Sequence, residues 1–289
     1  MTIRENPKSP RAMTRRVTPL LCTLTLACAM ASADDLPYYL KDRGTGQSTS
    51  LFGTYDEKGE WLVYVFGEYT INKEDEYHGS ELGYTDGIDY LGKFTEYEAL
   101  VFVSYAFNDY VMFELEPAYY TTATLKKAKD DTTSGIPNEI KESGVGDVDM
   151  EVRWRYCKET EHRPEIFSYF EVTPGFAKNK TIIGTQETEY ALGVGLTKGF
   201  HWGTLTGRVS FAHNEEGGEF SEYALQYVKR ISHKWSVVAA IEGEQEDIQA
   251  IGELQWHVSH HCTLKFNSGF GVTQKAEDFA PEVGVLFRF

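Results

Sequence analysis

The run Asp147-Val148-Asp149-Met150-Glu151-Val152-Arg153-Trp154-Arg155-Tyr156 alternates without a break. Successive side chains of a strand point to opposite sides, so Val148, Met150, Val152, Trp154 and Tyr156 share one face. Asp147, Asp149, Glu151, Arg153 and Arg155 share the other. For a strand in water the charged face would be the solvent face. An apolar face ending in Trp and Tyr instead suits lipid, with aromatics at the interface, and the charged face then lines an interior.

Segments of about nine to eleven residues, the length a tilted strand needs to cross a bilayer, repeat from Trp61 to the end. They fall near 61–71, 96–107, 110–121, 146–157, 165–176, 188–198, 202–213, 219–229, 234–245, 248–257, 262–272 and 280–289. Twelve is an even number, which returns both ends of a closed barrel to one side. The expected fold is all-β, a transmembrane antiparallel β-barrel over residues 61–289. Connection lengths alternate as well: 108–109, 158–164, 199–201, 230–233 and 258–261 are short, whereas 72–95, 122–145 and 177–187 are long. Short periplasmic turns and longer external loops are the usual asymmetry of such barrels. After residue 33 no stretch reaches the length of a transmembrane helix, and none sustains a 3.6-residue apolar period.

Residues 1–33 read as a signal peptide. Arg11, Arg15 and Arg16 precede an apolar run from Leu20 to Met30, which ends in the small residues Ala31, Ser32 and Ala33. Translation from Met13 would give a complete signal too. Residues 34–60 follow as a periplasmic segment with a flexible Gly44 to Thr49 stretch. Its short run Leu51 to Tyr55 leaves open a rim hairpin or an inward-folded plug.

Of the four cysteines, Cys22 and Cys28 leave with the signal. Strand parity turns Cys157 inward and Cys262 outward, so no disulfide is expected between them. The chain carries 28 basic and 44 acidic residues; five and one of these lie in the first 33, leaving a net charge of −20 beyond them. That balance argues against a nucleic-acid partner.

The same parity gives a list of interior positions: Glu98, Glu114, Glu116, Asp149, Glu151, Arg153, Arg155, Arg208, Glu242, Glu253, Lys265 and Arg288. Acids outnumber bases, so the lumen should disfavour anions, with Arg153, Arg155 and Arg208 paired to neighbouring carboxylates. An interior salt-bridge network that simply fills the barrel is the competing reading, since about eight strands leave room only for side chains and 16 to 18 leave a channel. On the last strand Val283, Val285, Phe287 and Phe289 share a face, and the chain stops at that aromatic. Phe287 and Phe289 resemble the C-terminal signal of bacterial outer-membrane proteins that the barrel assembly machinery reads.

No cofactor and no metal site is expected. His257, His260 and His261 have no diagnostic ligand spacing, and Glu74, Asp75, Glu76, Glu81, Asp86 and Asp89 lack the order of an EF-hand loop. An enzyme is not expected either: Ser210, His213 and Asn214 stand near one another without a hydrolase motif around them.

Ser143-Gly144-Val145-Gly146-Asp147 resembles the Gly-x-Gly-Asp signature of an outer-membrane transporter family linked to the meta-cleavage pathway of phenol degradation. Arg43-Gly44-Thr45-Gly46, Phe52-Gly53-Thr54-Tyr55, Trp202-Gly203-Thr204-Leu205-Thr206 and Ala280-Pro281-Glu282-Val283-Gly284-Val285 are similar to patches in that group. The resemblance implies a bacterial outer-membrane channel for small solutes, aromatic ones among them, with lipid and lipopolysaccharide as surroundings. The rival readings are a structural or interaction barrel with a filled lumen, a lipid-acting enzyme, and a soluble β-sandwich.

Overall fold

The computed structural model describes residues 36–289, apart from 81, 85–87, 178, 215–216, 245–246 and 274–275. The predicted signal peptide lies outside the described residues. Strands β1 (Gln47–Ser48) and β2 (Tyr55–Asp56) form a small hairpin that follows a 3-10 turn at Tyr38–Leu40. Thirteen further strands form one antiparallel sheet: β3 (Trp61–His78), β4 (Asp89–Ala106), β5 (Val111–Lys126), β6 (Glu139–Gly144), β7 (Val148–Cys157), β8 (Glu165–Thr173) and β9 (Glu189–Phe200), then β10 (Gly203–His213), β11 (Gly218–Arg230), β12 (Trp235–Glu244), β13 (Asp247–Ser259), β14 (Cys262–Gly271) and β15 (Ala280–Arg288).

The sheet closes on itself. β15 pairs with β3, β4 pairs with both β3 and β5, and from β7 to β15 each strand pairs with the next in sequence. β6 lies along the far half of β5 and β7 along its near half, so these two make one stave and the barrel has twelve. Trp61 and Phe289 exchange backbone hydrogen bonds of 3.1 and 3.0 Å, which joins the first residue of the barrel to its last.

Outward positions carry the apolar surface, as in Val194 and Leu196 on β9 or Val283 on β15. Aromatic pairs gather near the short turns, with Trp61 against Tyr105 at 4.5 Å and Trp235 against Trp256 at 5.8 Å. A second set lies near the long connections, where Phe170 meets Tyr190 and Phe270 meets Phe279. On β3, Trp61 and Tyr69 are eight residues apart and both exposed, a separation of about 26 Å along the strand, or about 20 Å across the bilayer at the usual tilt, close to the height of a lipid-facing band.

Two expectations need correction. The connections 72–95 and 122–145 are mostly strand: β3 runs on to His78, β4 starts at Asp89, β5 continues to Lys126 and β6 returns, leaving loops 79–88 and 127–138. The acids Glu74, Asp75, Glu76 and Asp89 therefore sit on strands, while Glu81 and Asp86 lie outside the described residues. Strands that outrun the lipid band meet water on one side, so neither face has to be apolar and the alternation fades. A bulge between Asn72 and Asp75 also breaks the register there. The second correction concerns Cys157. A bulge after Arg155 places it opposite Ile166, an outward residue, so it belongs to the outer face and not to the interior. Both Cys157 and Cys262 are free thiols.

The extended staves hold a packed cluster of Tyr77, Tyr90, Leu125, Ala128 and Ile136 at the end that carries the long connections. Asp131 organises it, accepting hydrogen bonds from the Tyr77 hydroxyl at 2.8 Å, the Ser134 amide at 3.0 Å and the Ser134 hydroxyl, with the Lys127 ammonium at 3.5 Å. Burial pushes this carboxyl up, but the Ser134 and Tyr77 donors and the Lys127 charge outweigh it and hold Asp131 down at about 2. A depressed carboxyl adds stability above its ordinary value near 3.8 and loses it as pH falls towards 2. Asp131→Ala should strand the Tyr77 and Ser134 donors at about 1–3 kcal/mol. Limited proteolysis should then cut within 127–138 at neutral pH while the barrel resists; unchanged cleavage would contradict the role assigned to Asp131.

A plugged lumen with an acidic cup

Residues 43–56 run inside the barrel at the end that carries the short turns. Nothing in this segment is periodic; beyond the short β1–β2 pairing, its backbone carbonyls are taken by wall side chains. Arg153 Nη1 donates to the Ser48 carbonyl at 2.8 Å, and Arg155 Nη1 to the Thr45 and Gly46 carbonyls at 3.1 and 3.0 Å. Arg208 Nη1 donates to the Ser50 carbonyl at 3.0 Å, Lys265 Nζ to that of Phe52 at 3.0 Å, and Arg288 Nη1 to that of Tyr55 at 2.9 Å. Five inward cations on β7, β10, β14 and β15 thus grip five stretches of one backbone.

Each of these cations also has a carboxylate. Arg153 meets Glu151 through Nε at 2.7 Å and Nη2 at 3.1 Å, Arg155 meets Glu165 at 2.9 Å, and Arg208 meets Glu222 at 2.6 Å. Lys265 stands 3.1 Å from Glu253, and Arg288 3.0 Å from Glu60. The Arg153 guanidinium, 1 % exposed, is further sandwiched by the Phe167 and Tyr169 rings, with centroids at 5.1 and 5.2 Å. Those rings fit because Gly195 and Gly193 stand opposite them on β9; a Cβ on Gly195 would lie 2.2 Å from the Phe167 ring. The plug reciprocates with Arg43, whose Nη2 reaches Glu159 at 3.0 Å and Glu165 at 3.1 Å. At its tip Gly53 turns with φ of +59°, where any Cβ would strike Val238.

Asp56 of β2 is buried, and neither of its carboxylate oxygens has a hydrogen-bond partner. It lies outside the membrane-spanning strands. Burial pushes it up to about 8 against the nearby Ser104 hydroxyl, the Glu114 and Glu60 charges push the same way as burial, and Arg288 opposes. An unseated hairpin would return Asp56 to its ordinary value near 3.8. The plug should therefore seat most firmly below pH 4, loosen as pH rises to about 8, and change no further above that. Asp56→Asn should remove this contribution and protect residues 43–56 from protease at pH 7 roughly tenfold longer. Equal slopes of protection against pH in both proteins would contradict it.

Above the plug lies a cavity of about 640 Å³, with Ser50, Leu51 and Phe52 of the plug tip on its wall. Glu98, Glu114, Glu116, Asp149, Glu151, Arg208 and Glu242 line this cavity, together with Glu68, Asp147, Glu171, Glu222, Glu244, Asp247, Glu277 and Glu282. Fourteen of these are acids, and Arg208 is the single base among the described lining residues. Arg153, Arg155, Glu253, Lys265 and Arg288 lie instead at the plug.

Sequence parity missed three features of the site. Glu165 and Glu159 are fully buried anchors of Arg43, one at the first residue of β8 and the other in a turn. Leu62, Tyr64 and Phe66 of β3 face inward with Leu100, Phe102, Ala118 and Leu286, and Leu51 of the plug packs on them. Both faces of β3 are apolar here, so its alternation carries no signal. The Tyr64 hydroxyl donates to Glu282 across this patch.

Among the described residues no three His, Cys, Asp or Glu side chains converge as a metal site. His257 accepts or donates to Ser236 Oγ at 2.8 Å and Thr263 Oγ1 at 3.1 Å. Ser210 Oγ lies 3.3 Å from Ser221 Oγ.

Fold and surface together define a transmembrane β-barrel of the outer-membrane type. An outer membrane channel from Pseudomonas putida F1 is similar in structure, with a TM-score of 0.58 at 11 % identity over 81 % of this chain and 97 % of that one. The translocator domain of the autotransporter NalP from Neisseria meningitidis scores 0.44 at 10 % identity, covering 81 % and 90 %. Outer membrane phospholipase A from Escherichia coli scores 0.43 at 8 % identity, covering 81 % and 93 %. At these identities the likeness speaks for the fold alone. No protein-family profile and no curated protein sequence matches the chain.

Proposed function

We propose that this protein is an outer-membrane channel for small solutes that favours cations and neutral molecules over anions, closed in this conformation by residues 43–56. One observation carries the reading: the interior bases are committed to the plug, while the cup above it keeps fourteen acids and Arg208. Carboxylates lining a passage with low-dielectric walls concentrate cations and repel anions. The short turns and both ends of the barrel belong on the periplasmic side, the long connections outside, facing lipopolysaccharide. Residues 1–33 export the chain, and Phe287 and Phe289, exposed on the outer face beside Trp61, serve the assembly machinery. Transport fits better than hydrolysis, because Ser236 is buried and His257 has a hydroxyl where a hydrolase would have a carboxylate or amide. The resemblance to the phenol meta-pathway family adds aromatic solutes to the candidates.

The test is a reversal potential in planar bilayers across a tenfold KCl gradient. Cation-selective currents support the channel, and anion-selective currents would overturn it. A folded barrel that stays silent with and without its plug would favour the filled-lumen reading.

A further inference from the structure

The cup has an apolar side that a passage for inorganic ions does not need. Phe66, Leu100, Phe102 and Ala118 line it from the wall, and Leu51 and Phe52 from the plug. Barrel interiors of this kind are ordinarily polar. On three adjacent strands the apolar position and a carboxyl are neighbours on the inward face: Phe66 and Glu68 on β3, Leu100 and Glu98 on β4, Ala118 and Glu116 on β5. Two residues along a strand separate them by about 7 Å, the length of a short amine-bearing arm. Glu114 on the same wall supplies a second indication. Its side chain is 3 % exposed, one carboxylate oxygen takes the Ser50 amide and hydroxyl, and the other, Oε1, has no hydrogen-bond donor; Arg153 Nε stands 3.8 Å from it.

We infer that the cup binds an organic cation, a protonated amine or quaternary ammonium carried on an apolar body of about one ring, with the body against Leu51, Phe66, Leu100 and Phe102 and the charge at the neighbouring carboxylates. The inference deepens the channel reading and rests on the cup being its solute site. The apolar patch rejects bare metal ions as preferred occupants because they leave it wet, and the carboxylates reject neutral and anionic molecules of the same shape.

Isothermal titration of the refolded, full mature barrel in detergent tests this with three probes: phenethylammonium, ethylammonium, which lacks the body, and 2-phenylethanol, which lacks the charge. Phenethylammonium should bind at least about tenfold more tightly than either. Leu51→Ser, which alters the plug tip and leaves the wall intact, should weaken it several-fold, as should Glu98→Gln. Ethylammonium binding as tightly would reduce the cup to a counter-ion cloud, and the alcohol binding as tightly would make it a plain apolar pocket; either result overturns the inference, as does an absence of binding or an affinity that neither variant changes. Conductance measured on the same preparation and on a variant lacking residues 43–56 separates the two readings: binding to the intact barrel with no current from either protein defeats the channel and keeps the ligand site, and current without binding does the reverse.

Discussion

Arg153→Met should destabilise the folded barrel by about 3–5 kcal/mol, the usual result of removing one member of a buried, hydrogen-bonded ion pair. The guanidinium is enclosed by Phe167 and Tyr169, chelates Glu151 through two nitrogens and holds the Ser48 carbonyl. Methionine fills the space between the rings but leaves the buried Glu151 and Glu114 carboxylates facing each other without a cation, and the plug loses a central tether. Pairing the change with Glu151→Gln should return most of the loss, since an apolar or neutral replacement of both partners removes the stranded charge. Thermal unfolding of the folded band on semi-native gels reads both effects. A single variant as stable as the parent, or a double variant no better than the single, would mean that the ion pair is not what holds this layer of the lumen.

The second large effect concerns selectivity. Glu116→Lys combined with Glu171→Lys changes the formal charge of the cup by four units, on β5 and β8, which flank β7 on the cup wall. Neither carboxylate has a hydrogen bond to the plug, so the change should leave seating intact. The ratio of cation to anion permeability should fall by roughly tenfold and approach or cross unity. A ratio that does not move would place the ion path elsewhere.

Much of the barrel was legible because a lipid-facing stave has to alternate. The run from Asp147 to Tyr156 does so, and the hydrogen-bonded register of β7 with β5 and β8 follows the same parity until the bulge after Arg155. Where the physical demand lapses, the pattern does too. Beyond Asn72 and Thr122 the staves leave the lipid band and their outer faces become polar, so they read as loops. On β3 an inward apolar patch meets an outward apolar face, and the period disappears. The plug was the least legible part. Residues 43–56 have no repeat, and their order comes from cations more than a hundred residues away in sequence donating to backbone carbonyls, a contact in which the identity of the plug residue hardly matters. The excess of acid in the lumen was visible as a composition. Its division into a neutralised layer at the plug and an acidic cup above depended on knowing which bases the plug takes.

The measurement that bears most directly on the account is single-channel conductance of the full mature barrel beside a variant lacking residues 43–56, at one salt concentration. The account predicts small or rare openings for the intact chain and steady, cation-selective steps roughly tenfold larger once the plug is gone. Identical conductance in the two proteins, with both correctly folded, would contradict a lumen closed by its own N-terminal segment.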